Sequence, residues 1–124
     1  EDVVKYGVID PEEVESGIYR VKDIVEKPSI NEAPSNLATM GRYVLNPKIF
    51  GYLKRIGPSY GGEIQLTDAL RASLKDSELY AFHFKGRRYD IGDKFGFIRA
   101  NIELALDRKD IGKKVREYLR NLKL

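Results

Sequence analysis

Cysteine and tryptophan are absent from this sequence, and histidine occurs once. Without cysteine there is no disulfide framework, no thiolate metal site and no cysteine nucleophile. The absence fits a reducing, cytoplasmic compartment. His83 has no second histidine or cysteine to share a metal with, and it reads as structural. No apolar run approaches the ~20 residues of a membrane span. No serine-triad motif, internal repeat or low-complexity segment is present. The first residues, "EDVVKYGVID", carry neither an initiator methionine nor a signal-peptide pattern and read as the inside of a strand. A fragment or a processed chain is therefore expected.

What is present is ordinary for a globular protein. The 124 residues are 42% hydrophobic and 33% charged, which suits a single domain over residues 1–124 with a real core. The net charge is +3. Residues 107–124 hold seven Lys and Arg against three Asp and Glu, so the rest, with 15 basic and 16 acidic groups, is nearly neutral. The segment "IGKKVREYLRNLKL" is expected to be an amphipathic helix with Val115, Tyr118, Leu119 and Leu122 on one face. A basic helix of this kind can meet nucleic acid or a membrane surface. No recognised nucleic-acid motif or aromatic stacking pattern accompanies it, so a docking helix with a solvated basic face is the reading, with neither nucleic acid nor membrane as a partner.

Periodicity predicts a strand over 3–9, a turn at Asp10-Pro11 and a strand over 17–25 whose broken alternation calls for a bulge. A third strand is expected over 36–45. Helices are expected from Pro47 to about Arg55, over 63–75 with Leu66, Ala69, Leu70 and Leu74 inward, and over 94–106 with Phe95, Ile98, Ile102 and Ala105 inward. Short strands are expected at 79–84 and 88–91. Strands followed by helices alternating with strands make the class α/β or α+β.

Four stretches can carry chemistry. "VEKP" sets Glu26 beside Lys27 where Pro28 stops the strand. Strand ends in α/β proteins open onto ligand crevices, where a carboxylate can accept from hydroxyls and an ammonium can reach an anion. The alternative is two exposed charges before a turn. In "RRYDIGD", Asp90 lies between Tyr89 and Ile91 and is either a buried hydrogen-bond acceptor or a magnesium ligand, whereas Asp93 suits a helix N-cap. "YGGEIQLTDAL" places two glycines before a helix, either as an anion cradle or as a turn. In "KYGVI", Gly7 marks a close approach to backbone or a bulge.

Taken in order, "KYGVID", "VEKP", "APSNLATMGRYVL", "GGEIQLTDAL" and "YDIGDKFGFIRANIELAL" resemble the C-terminal half of the bacterial UTP–glucose-1-phosphate uridylyltransferases, a family of sugar-1-phosphate nucleotidyltransferases. The related glucose-1-phosphate thymidylyltransferases resemble it less well. The resemblance implies part of a Rossmann-like α/β nucleotide-diphospho-sugar transferase fold, a mixed sheet with flanking helices, lacking the N-terminal nucleotide-binding half. It implies that Glu26 bonds sugar hydroxyls, that Lys27 contacts the sugar-linked phosphate as the catalytic cation, and that the backbone of Gly7 meets the sugar. It associates Asp90 with a catalytic Mg²⁺. The implied partners are glucose 1-phosphate, UTP and UDP-glucose.

One departure is large. The family's glycine-rich triphosphate loop, G-x-G-T-R with a following Pro and Lys, has no match here, nor has its second metal-binding aspartate. The chain alone is expected to be inactive and, with strands left unpaired, to form a homo-oligomer. The rival reading is a non-catalytic sugar-phosphate-binding or assembly module.

Overall fold

The computed structural model describes residues 2–122, and the chain divides into two compact units, 1–84 and 85–124.

In the first unit, a short 3-10 turn at Asp2–Lys5 leads into β1 (Gly7–Glu15), which pairs antiparallel with β2 (Ile18–Glu26). Ser16 and Gly17 alone join them, and Gly17 takes the left-handed φ of 77° that so tight a turn demands. A third antiparallel strand, β3 (Tyr80–Phe82), pairs with the other edge of β2. Helices α1 (Ile49–Leu53) and α2 (Leu66–Ser73) complete the unit. The α/β class holds. Within the described residues the sheet is antiparallel rather than mixed; between β1 and β2 the two-residue connection is too short for a parallel crossover.

The expected bulge lies in β2. Asp10 pairs with Asp23 but Pro11 pairs with Val21, so Lys22 has no Cα partner. Residues three apart on a regular strand face opposite sides. The inserted residue corrects this and buries both Val21 and Ile24 in one core with Ile9, Ile49, Ala69 and Leu70. Leu66 and Leu74 pack against that core, so the inward face predicted for α2 is observed. Fully buried Ile24 and Leu70 each contribute about 1.5–3 kcal/mol of transfer free energy.

Three expectations of local structure are corrected. The chain does not turn at Asp10-Pro11, and β1 runs through it. Pro11 sits at the register shift, where a missing N–H breaks no regular ladder. The strand expected over 36–45 is reduced to one bridge, Val8 to Ala38. Two backbone bonds flank it, Ile9 N–H to Leu37 O (3.1 Å) and Thr39 N–H to Gly7 O (2.8 Å). Gly41, at φ 66°, then turns the backbone away. The region before β1 is a 3-10 turn and not strand.

The second unit holds α3 (Lys94–Asp107) and α4 (Gly112–Asn121). Asp93 caps α3 as expected, accepting from Gly96 N–H at 2.9 Å. Residues 88–91 form no strand; side chains tie the stretch to α3 instead. Glu103 accepts from Tyr89 Oη (3.0 Å), Arg99 Nε (3.0 Å) and Arg87. Ile102 and Ala105 are half-buried as predicted, but Phe95 and Ile98 are 73% and 55% exposed. A unit of this size has too little chain to cover a whole helix face. On α4, Val115 and Leu119 are half-buried and Tyr118 is exposed, as is Leu122 just beyond the helix end. The last two residues of the predicted amphipathic helix lie outside the described residues.

Candidate sugar-phosphate site

β2 ends at Glu26, and Lys27 follows with φ 43°, the one non-glycine residue at positive φ among those described. Such a backbone carries about 1–3 kcal/mol of strain and persists only where its surroundings hold it. Here Lys27 N–H donates to Tyr6 O at 3.0 Å, and Pro28 closes the helical alternative. The consequence is geometric. Neighbours on a strand point to opposite faces, yet Lys27 Nζ lies 3.9 Å from Glu26 Oε1. The left-handed turn brings acid and base to one side.

Each member of the pair has a second contact. Glu26 Oε2 accepts from the Thr67 hydroxyl at 2.5 Å. Lys27 Nζ stands 4.7 Å from the centre of the Tyr60 ring, a cation–π distance. The Glu26 side chain is 15% exposed and that of Lys27 35%, so both are sheltered but reachable. A carboxylate this sheltered requires partners, and Thr67 and Lys27 supply them.

Gly7 lies opposite Glu26 in the β1–β2 ladder. A Cβ added there would meet Thr39 Oγ1 at 3.1 Å, Glu26 Oε2 at 3.3 Å and Thr67 Oγ1 at 3.3 Å. Gly7 therefore marks close approach and not a bulge, and three oxygens occupy the room its missing side chain leaves. The two glycines of "YGGE" make a turn. Gly61 and Gly62 take φ of 69° and 76°, and α2 begins only at Leu66. That turn is buttressed by Gln65 Nε2 donating to Tyr60 O at 2.9 Å, which keeps Tyr60 beside Lys27.

Gly7, Glu26 and Lys27, singled out in the sequence, thus share one site in the first unit. Asp90 belongs to the second unit. It is exposed and not buried: Oδ1 accepts from Gly92 N–H at 3.0 Å and Oδ2 faces Arg88 at 3.4 Å. Its neighbour Ile91 is itself exposed, so the stretch is not the apolar environment its composition suggests. Thr67 and Tyr60 escaped notice in the sequence. Thr67 did leave a signal: it stands three residues before Leu70 and seven before Leu74, a polar residue on the apolar face of a helix, and it is 5% exposed.

This arrangement can take a hydroxylated anion. The model of the nucleotidyl transferase family matches residues 1–106. The chain belongs to that family. Its relatives include the UTP–glucose-1-phosphate uridylyltransferase 1 of Staphylococcus saprophyticus, 47% identical over 118 residues, which are 95% of this chain and 41% of that protein. The crystal structure of a UDP-glucose pyrophosphorylase complexed with UDP-glucose matches with TM-score 0.82 and 49% identity over 87% of this chain and 41% of the other. A Bacillus anthracis structure assigned as a glucose-1-phosphate thymidylyltransferase, in complex with a sucrose, matches with TM-score 0.55 and 28% identity, covering 88% of this chain and 41% of that one. The nucleotidyl transferase chain described here thus spans less than half the length of the relatives it matches. Among its described residues, no group of three or more His, Asp or Glu is placed to hold a metal, and no helix is long and apolar enough to cross a membrane.

Proposed function

We propose that residues 1–124 are one domain, the C-terminal, sugar-phosphate-binding portion of a UTP–glucose-1-phosphate uridylyltransferase. The observation that carries the proposal is the Glu26–Lys27 pair brought to one side, with the Glu26 carboxylate against Gly7. In this reading the Glu26 carboxylate accepts from sugar hydroxyls, the Gly7 backbone contacts the sugar, and Lys27 holds the phosphate of glucose 1-phosphate. A phosphate oxygen of that substrate forms a bond to the α-phosphorus of UTP as the bond to pyrophosphate breaks, giving UDP-glucose and pyrophosphate. No covalent nucleophile is needed, and positioning with charge neutralisation supplies the catalysis.

Magnesium is the implied metal. The resemblance would make Asp90 one of its ligands; an exposed carboxylate can serve with phosphate oxygens and water, although here Asp90 Oδ1 accepts from Gly92 N–H and Oδ2 faces Arg88. When bound, the ion would neutralise phosphate charge. The triphosphate-binding side is assigned to sequence that these 124 residues do not contain. A cytoplasmic homo-oligomer completes the proposal.

The test is the gene product that carries these residues, assayed with Mg²⁺ and glucose 1-phosphate against UTP and against dTTP. Release of pyrophosphate with UTP is expected. A clear preference for dTTP would make it a thymidylyltransferase, and binding without turnover would leave a non-catalytic module.

A further inference from the structure

The Thr67 hydroxyl is buried, neutral and aimed at Glu26, and it occupies one carboxylate oxygen that a sugar would otherwise be free to use. A hydroxyl bonded to a carboxylate makes a short, charge-assisted contact. It also fixes rotation: with Oε2 held by Thr67, Oε1 is left on the Lys27 side, 3.9 Å from Nζ. Glu26 on its own has three rotatable bonds and would sample several directions. Two elements thus meet in one bond, the end of β2 and the first turn of α2. Building on the sugar-phosphate reading above, we infer that Thr67 is a positioning residue, which aims the Glu26 carboxylate and so sets discrimination between sugar 1-phosphates that differ at one hydroxyl.

The methyl of Thr67 cannot perform this role, which makes the inference separable from packing. In the complete gene product, Thr67→Val keeps shape and removes the donor. It is expected to lower kcat/KM for glucose 1-phosphate by about tenfold or more. It should also shrink the preference for glucose 1-phosphate over galactose 1-phosphate. Thr67→Ser keeps the hydroxyl and should stay within about threefold of wild type. Added to Glu26→Gln, Thr67→Val should bring little further loss, because it acts through the carboxylate already changed. Should Thr67→Val not fold, Thr67→Cys, similar in size and a weak donor, is read the same way. A lowered Tm with unchanged kinetics and sugar preference would overturn the inference, as would losses that add fully to those of Glu26→Gln. In both cases a large loss in Glu26→Gln alone leaves the sugar-phosphate site standing. A harmless Glu26→Gln would overturn that site and this inference together.

Discussion

Arg71 grips both carboxylate oxygens of Asp23, with Nε 2.7 Å from Oδ1 and Nη2 2.6 Å from Oδ2. The paired carboxylate raises the pKa of Arg71 further, so the guanidinium keeps its charge as pH rises. Arg71 stands one helical turn after Thr67 on α2, and Asp23 stands three residues before Glu26 on β2. Two polar bonds therefore set how α2 lies along β2, and with it where Thr67 meets Glu26. Arg71→Met should retain the fold yet loosen that register. The expected outcome is a loss of stability of about 1 kcal/mol, discounted for partial exposure, with a measurable drop in glucose 1-phosphate affinity. Denaturant titration together with substrate titration checks both.

Lys27 offers a separation of stability from function. Lys27→Ala in the complete enzyme should reduce kcat/KM by about 100-fold, the usual effect of losing one positioned electrostatic donor. Lys27→Gly should reduce it as much while leaving Tm at or above wild type, since relief of about 1–3 kcal/mol of strain outweighs about 1 kcal/mol of added unfolded-state entropy. Lys22, exposed on β2, is the control, and its change to Ala should do little. Equal, small effects at 22 and 27 would reduce Lys27 to a surface charge before a turn.

Gly7→Ala should be damaging despite the small size of the change. Its methyl would press on the oxygens of Thr39, Glu26 and Thr67 at 3.1–3.3 Å. We expect destabilisation of about 1–3 kcal/mol, as for other overpacked sites, and a raised KM for the sugar phosphate. Thermal unfolding and steady-state kinetics measured on one preparation would show both or refute them.

The second unit should loosen in acid. Glu103 is held below its ordinary value of 4.5, chiefly by the Tyr89 hydroxyl, with Arg99 and Arg87 adding and partial desolvation opposing. A carboxyl with a depressed folded pKa contributes stability that is full above its ordinary value and is lost as pH falls through the folded one. Hydrogen-exchange protection in the second unit should therefore fall as pH drops below 4.5, beyond the change in intrinsic rates. Glu103→Gln should flatten that dependence, and an unchanged profile would contradict the assignment.

The 124 residues by themselves, given UTP, glucose 1-phosphate and Mg²⁺, should make no UDP-glucose, because no stretch of them offers a triphosphate loop. They should also self-associate. Phe95, Phe82 and Tyr118 are large, apolar and more than half exposed. Sedimentation across micromolar concentrations should show this, and a clean monomer would contradict it.

The residues of the candidate site stood out in the sequence more clearly than the pairing of the strands. Glu26, Lys27 and Gly7 were legible because each sits where a local rule is broken: charge at a strand end before proline, or glycine among β-branched residues. The core face of α2 was legible from its spacing, and the cap at Asp93 from its residue type. The extended segment 36–45 was misjudged because strand pairing is a long-range property; a single glycine at positive φ ended it. The burial expected of Asp90 was misjudged because exposure depends on what else packs nearby, which composition does not reveal. Thr67 was overlooked because a lone hydroxyl on an apolar face acquires meaning only once its partner, 41 residues away, is known.

The unpaired residue at Lys22 divides β2 into two phases. Ile24 and Glu26 belong to the downstream phase, and Val21 to the upstream one. Were the strand one residue shorter at that point, the core could keep Val21 inward or keep the phase of Ile24 and Glu26, but not both. The carboxylate would then be presented to the wrong side of the sheet, with no change in any residue of the candidate site. A single-residue deletion there would be a frameshift written in space, and it makes the side of the sheet on which the site lies the property of a position outside that site.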